Sequence, residues 1–270
     1  LNVIFWYAGS PELIKVIGDL LDTEVIDESN FREYVGFLEK NSIPALINTL
    51  GSLKAIHARK LLIEALVLLG KKDLPALAKG LNDERWYVVR NIIYVLRKIG
   101  DKHAVESLMK TAYHSDVRVR KEVLAALGEL GGQGALSILR EYLEDPEPTV
   151  RTAAARALGK VGTEYARVAI LEKMSHKDFL NLEFNEKKEY FEVLARWKDN
   201  IVTSYLMKVL KGASLFKRAK HNEMKACAAY SLGLIGDKSA LPALEKLRRS
   251  KNKLLSDYAY TAMKRIEYGK

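Results

Sequence analysis

Five histidines, His57, His103, His114, His176 and His221, and one cysteine, Cys227, are the side chains of this sequence best suited to hold a metal or attack an electrophile. A zinc site needs three or four such ligands converging, announced by close spacing or by a His-Glu-x-x-His turn of helix. No pair here has that spacing, and no histidine is followed by Glu. His103 and His114 flank one predicted helix but stand too far apart along it to share an ion. No metal is expected. Cys227 lies in the small-residue run Ala226-Cys227-Ala228-Ala229. A catalytic thiol needs a depressed pKa and an accessible sulfur, so the preferred reading is a small, buried, apolar side chain. Gly131-Gly132-Gln133-Gly134 follows a helix rather than a strand and reads as a turn, not a phosphate loop. No nucleotide cofactor follows, and no catalytic residue is assigned.

Cations are more suggestive. The formal charge is +10, and residues 201–270 carry 15 basic against 5 acidic side chains, which accounts for all of it. Residues 1–42 carry 3 basic against 8 acidic. A one-ended field of this kind suits steering of one acidic partner better than uniform coating of nucleic acid. Arg59, Arg120 and Arg151 each precede a glycine by 11 residues; Lys187 and Lys225 take the same slot in longer segments, and Arg90 is one position off. A column of cations along a groove could track an anion. Trp86 and Arg90, four apart, share a helix face that could stack a base or a cationic ligand; packing against a neighbouring segment competes with that reading. Trp197 reads as a filler at an irregular junction.

These residues sit on a repeating scaffold. At 270 residues, 48% hydrophobic and with a single Cys, the chain is neither disordered nor a disulfide framework. No stretch approaches the roughly 20 apolar residues of a membrane helix, and no secretory signal is visible, so a cytoplasmic setting is expected. The segments LPALAKGLNDERWYVVRNIIYVLRKIG (74–100), AVESLMKTAYHSDVRVRKEVLAALGELG (104–131) and ALSILREYLEDPEPTVRTAAARALGKVG (135–162) share an amphipathic stretch, a polar break with Asp, a small or apolar run and a closing Gly. The closing glycines Gly70, Gly100, Gly131, Gly162 and Gly236 are 30, 31, 31 and 74 apart, and the last gap holds two longer repeats, one without its Gly. Apolar spacings of three and four predict two helices per repeat. The closing Gly suits a left-handed cap, and Ala153, Ala154 and Ala155 suit close helix approach. A single pair cannot bury its own apolar face, so pairs must stack. Ser10-Pro11 predicts a helix start, and the capping box Asn30-x-x-Glu33 predicts another, over about 31–41. Leu1 to Tyr7 reads as the tail of a truncated pair, and the start without Met suggests a piece of a longer protein.

The Asp145-Pro146…Val150-Arg151…Ala153-Ala154…Ala157-Leu158-Gly159…Gly162 pattern resembles the HEAT repeat, of the short type named after phycobilisome lyases. The resemblance covers 43–270, strongly in 73–162 and 224–248 and weakly in 163–199. It implies an all-α fold: a right-handed α-α superhelix of about eight antiparallel helix pairs. Expected within it are a divergent first repeat (1–42), regular repeats (43–162), two longer irregular repeats (163–236) and a capping repeat (237–270). The resemblance also implies that the column Arg pairs with the turn Asp of its own or an adjacent repeat, so that Arg59, Arg90, Arg120 and Arg151 form a structural ladder with Asp83, Asp116 and Asp145. A related di-iron hydroxylase uses His-Glu pairs, which are missing here. A HEAT-like DNA glycosylase uses a catalytic Asp one turn after an aromatic, where Arg90 stands instead.

Function, on this reading, is that of a non-enzymatic scaffold for another protein with an acidic surface, acting through the concave face and one irregular edge. The excess length falls in 176–185 and 212–222, loops expected side by side. Insertions confined to one edge of a repeat array often build its binding site. The expected contacts are Phe179, Phe184 and Phe216, with Lys208, Lys211, Lys217, Arg218, Lys220 and Lys225. The competing reading is that the apolar residues cap the core and the cations merely solvate it. Two alternatives stay open: nucleic-acid binding by the basic C-terminal repeats, and a bilin lyase-like role on a chromophore, which only the resemblance suggests.

Overall fold

The computed structural model describes residues 7–212 and 217–269. Most of the expected helix tail over 1–7 lies outside the described residues, as does Phe216. Contacts divide the chain into two units, 1–135 and 136–270. Among the described residues both are purely α-helical, with short 3-10 turns and no strand.

The first unit contains α1 (Pro11–Asp22), α2 (Glu28–Gly36), α3 (Ile43–Leu50), α4 (Ile56–Gly70), α5 (Leu74–Ala78), α6 (Trp86–Ile99), α7 (Val105–Thr111) and α8 (Val117–Leu130). The second contains α9 (Leu136–Glu141), α10 (Pro148–Val161), α11 (Glu164–Ser175), α12 (Phe184–Leu194), α13 (Asn200–Lys211), α14 (Arg218–Ile235), α15 (Leu241–Arg248) and α16 (Lys253–Tyr268). Among the described residues these α-helices make four pairs per unit, in an all-α solenoid arrangement.

Helix starts follow local chemistry. Ser10 accepts a hydrogen bond from the Leu13 amide, with Pro11 as the first helical residue. The second start differs from the expected one. Asp27, not Asn30, caps α2, accepting from the Asn30 amide at 2.9 Å. An ionised Asp is the better acceptor at the positive end of a helix, so α2 begins three residues early and ends at Gly36.

Second helices of successive pairs pack on one another: α4 on α6 on α8 in the first unit, and α10 on α12 on α14 on α16 in the second. Their inward positions are aliphatic and fully buried, as with Val88, Ile92 and Leu96 on α6. Small residues set the spacing. A Cβ at Gly233 of α14 would lie 2.8 Å from the Ala262 Cα of α16, closer than real Cβ atoms approach a backbone. Gly100, Gly162 and Gly236 take the left-handed caps expected of them. Gly70 and Gly131 do not. Gly70 is required for room instead, because a Cβ there would meet Leu77 at 2.7 Å and Ile99 at 2.9 Å.

The repeat that lost its glycine keeps the conformation. Lys198, with φ 48°, occupies the left-handed region where the regular repeats place Gly. A left-handed non-glycine residue costs about 1–3 kcal/mol. Lys198→Gly is expected to stabilise the protein by about 1 kcal/mol, read as a Tm increase of about 2–4 °C in thermal melts.

Candidate functional site

Two acids of the expected Arg–Asp ladder, Asp83 and Asp116, are bound within their own turns. Asp83 is bound by Arg85, through Nε and Nη2 at 2.8 Å each, and Asp116 by Arg118 at 2.7 Å. Both acids also accept the backbone amide of the same arginine. Two residues of separation lets the turn close on itself, so the Asp is consumed locally before the column Arg can reach it. Asp145 accepts from the Glu147 amide in the same manner, at 2.8 Å. The column arginines donate to backbone carbonyls at the foot of their own helix: Arg59 to Lys54, Arg120 to Ser115 and Arg151 to Pro146, at 3.0, 2.8 and 3.0 Å. Arg90, one position out of register, is solvent-exposed on α6.

In the lengthened repeats, buried cross-repeat ion pairs use Glu as their acid. Arg151 of α10 makes a two-pronged contact with Glu186 of α12, at 2.6 and 2.8 Å. The next residue, Lys187, is fully buried and reaches Glu223 of α14 at 2.5 Å. Tyr190 lies beside Glu186 and Arg151, and burial pushes its phenol well above the ordinary range. Cys227 is buried nearby, its thiol pushed up to about 12 by desolvation. At neutral pH it is a packed thiol, not a nucleophile. Trp86 serves packing between repeats, with the Arg118 guanidinium 3.2 Å from its ring centroid.

The two irregular loops do meet. Lys217 Nζ donates to the Asn181 side chain at 3.2 Å, and Lys220 Nζ to the Asn181 carbonyl at 3.3 Å. The aromatic residues of the first loop fold inward. Phe179 is buried edge-on against Tyr190, with ring centroids 5.3 Å apart, and half-buried Phe184 packs edge-on against Tyr258 at 5.8 Å. Neither forms an exposed contact patch, because edge-on aromatic packing buries Phe179 and covers part of Phe184.

The cations behave differently. A cavity of about 1050 Å³ in the second unit lies between α13, the first half of α14, and α15. Lys211, Arg218, His221, Lys225 and Lys246 line it. Arg218, His221 and Lys225 are spaced 0, +3 and +7 along α14, which puts them on one helix face. No carboxylate lines the cavity, and among the described residues none of the five forms an ion pair. The two acids close by in sequence are engaged elsewhere. Glu223 holds Lys187, and Glu245 holds Arg248 and Arg249, which keep its carboxyl below its ordinary range. α14 also starts from Lys217 in a left-handed conformation with no side-chain cap, so the positive end of its dipole adds to the field. Met207, Leu210 and Leu247 give the cavity an apolar part. The expected contacts thus divide: Lys211, Arg218 and Lys225 line the cavity, Lys217 and Lys220 fasten the loops, and Lys208 is exposed outside it.

Residues 105–180 match the family model of HEAT repeats, and residues 228–248 match that of the PBS lyase HEAT-like repeat. Over these two segments the chain carries HEAT repeats. A comparison with curated proteins finds no match in sequence. Among solved structures, Escherichia coli YibA is 18% identical, with a TM-score of 0.50 over 84% of this chain and 86% of that one. Human deoxyhypusine hydroxylase is 17% identical (TM-score 0.39; 95% and 98% covered), and the CpcE–CpcF complex of phycocyanin lyase from Nostoc sp. is 20% identical (TM-score 0.39; 96% and 94%). The likeness to YibA is one of fold.

Lys246 and His221 line the cavity but were not among the expected contacts; Lys246 is the more remote. It lies one helix pair beyond the longer loops, and only the stacking of HEAT pairs brings it opposite Lys225. Two predictions concern the pairs that hold the stack. Arg151→Ala leaves Glu186 buried without its partner and is expected to cost about 3 kcal/mol in urea unfolding. Asp116, held down to about 2 by Arg118 against an ordinary 3.8, contributes stability above its ordinary value and loses it as pH falls toward 2. The Tm advantage of wild type over Asp116→Asn is therefore expected between pH 5 and 7 and absent near pH 2.

Proposed function

We propose that the chain is a non-catalytic HEAT-repeat adaptor that holds a partner protein by seating its carboxylates in the cationic cavity of α13, α14 and α15. The observation that carries this reading is a set of five cationic or protonatable side chains around one concavity whose neighbouring glutamates are already paired. Uncompensated like charges repel one another, and an acidic ligand relieves that repulsion. The apolar floor favours a peptide with both acidic and aliphatic side chains. Nucleic acid is the second reading, given the basic lining. Single-strand binders stack bases on aromatic platforms, and no Phe, Tyr or Trp lines this cavity among the described residues. Nothing in this reading requires a cofactor. No helix among the described residues is long and apolar enough to cross a membrane.

The test compares a labelled 12-residue polyglutamate peptide with a 12-nucleotide single strand, using wild type and the triple variant Lys211→Glu, Lys225→Glu, Lys246→Glu. The peptide is expected to bind wild type and to lose at least tenfold in affinity for the variant, with no fall in Tm. Tighter binding of the oligonucleotide, with log affinity falling by about 0.7 per phosphate contact against log salt, would favour the nucleic-acid reading instead.

A further inference from the structure

Helix α4 is apolar around most of its circumference. Ala58, Leu61, Leu62, Ala65, Leu66 and Leu69 are buried against its neighbours. On the opposite side Ile56 is 80% exposed and Leu68 58% exposed, with Ile63 and Val67 half-buried between them. A helix hydrophobic all round belongs in a core, yet one side of this one faces open space. That side forms one wall of a groove of about 920 Å³, with α6 as the other. The rims are charged with one sign. Arg59 and Lys60 of α4 and Arg90 and Lys98 of α6 line the groove, and its one acid, Glu64, is bound to Arg32 at 3.0 Å. Lys60 and Arg90 have no ion pair among the described residues.

We propose that this groove of the first unit docks an acidic amphipathic helix from a partner protein. The occupant follows from two complementarities. An aliphatic stripe on the guest covers Ile56, Ile63, Val67 and Leu68, and carboxylates beside that stripe meet Lys60, Arg90 and Lys98. Ile56 and Leu68 are 12 residues apart, about 18 Å along the axis at 1.5 Å per residue, so a guest of three to four turns spans them. Helix-in-groove recognition reads anchors at i, i+3, i+4 and i+7, which matches a continuous wall better than separate pockets would. The surface is distinct from the cationic cavity of the second unit and does not depend on it.

The probe is a labelled 18-residue helical peptide with Leu at i, i+3, i+4, i+7 and i+11 and Glu at most other positions, followed by fluorescence anisotropy. A permuted peptide of the same composition, with the Leu residues dispersed, is the control. Wild type is expected to bind the patterned peptide at least tenfold more tightly than the permuted one. Ile56→Gln with Leu68→Gln, both at exposed positions, should lose at least tenfold with unchanged Tm, and Lys60→Glu with Arg90→Glu should lose a similar factor. The proposal is overturned if the patterned peptide does not bind, if both peptides bind alike, or if the Gln variant binds as wild type does. It is also overturned if affinity is lost only in the Lys211, Lys225 and Lys246 variant, which would place the peptide in the other unit. Phosphatidylserine vesicles that bind with the same dependence on Ile56 and Leu68 would assign the face to lipid.

Discussion

A pair of short helices exposes as much apolar surface as it buries, and this shortfall governs the molecule. Each second helix must find its core on the pair before and the pair after, and it can do so only at close range. Gly233 against Ala262, and Gly70 against Leu77 and Ile99, show the tolerance: one carbon atom too many at any of these points meets backbone or a packed side chain. Stability in such an array is a sum of neighbour interfaces rather than the property of one central core. Side chains that point away from these interfaces have no structural duty and are available for recognition.

Charge is sorted by the same geometry. An acid two residues before an arginine in a turn closes a local ring, as Asp83 does with Arg85 and Asp116 with Arg118. The column arginines donate to carbonyls, and Arg151 and Lys187 also reach acids on the next second helix. What remains is informative. Lys211, Arg218, Lys225 and Lys246 are left facing one another around a concavity, because Glu223 and Glu245 are committed elsewhere. A cation count along the sequence says where positive charge is dense; pairing says where it is uncompensated.

The helix pairs, their number and the closing turns at Gly100, Gly162 and Gly236 were legible from spacing alone, because periodicity and glycine report directly on backbone geometry. Contacts between repeats were not. The 11-residue slot correctly aligned Arg151 with Lys187, yet no spacing rule distinguishes an arginine that reaches a carbonyl from one that reaches Glu186. The loop aromatics failed for a related reason. Phe179 and Phe184 stand among acidic residues in sequence, and their packing depends on Tyr190 and Tyr258, the latter more than 70 residues away. The exposed side of α4 was hidden in the opposite sense: a run as apolar as Leu61–Leu69 reads as core, and only the fold shows that Ile56, Ile63 and Leu68 lie beyond it.

Glu186 and Lys187 are adjacent residues of opposite sign that face opposite neighbours, Arg151 behind and Glu223 ahead. A slip of one position in α12 would set Lys187 against Arg151 in a buried interface or, in the other direction, Glu186 against Glu223. Regular repeats with aliphatic seams can be copied, deleted or exchanged with little penalty at their borders. The α11–α12 pair cannot, since it accepts only a predecessor that offers a cation and a successor that offers an acid. It acts as a polarity key in an otherwise interchangeable series, giving the second unit a fixed order of parts as well as a fixed shape for each.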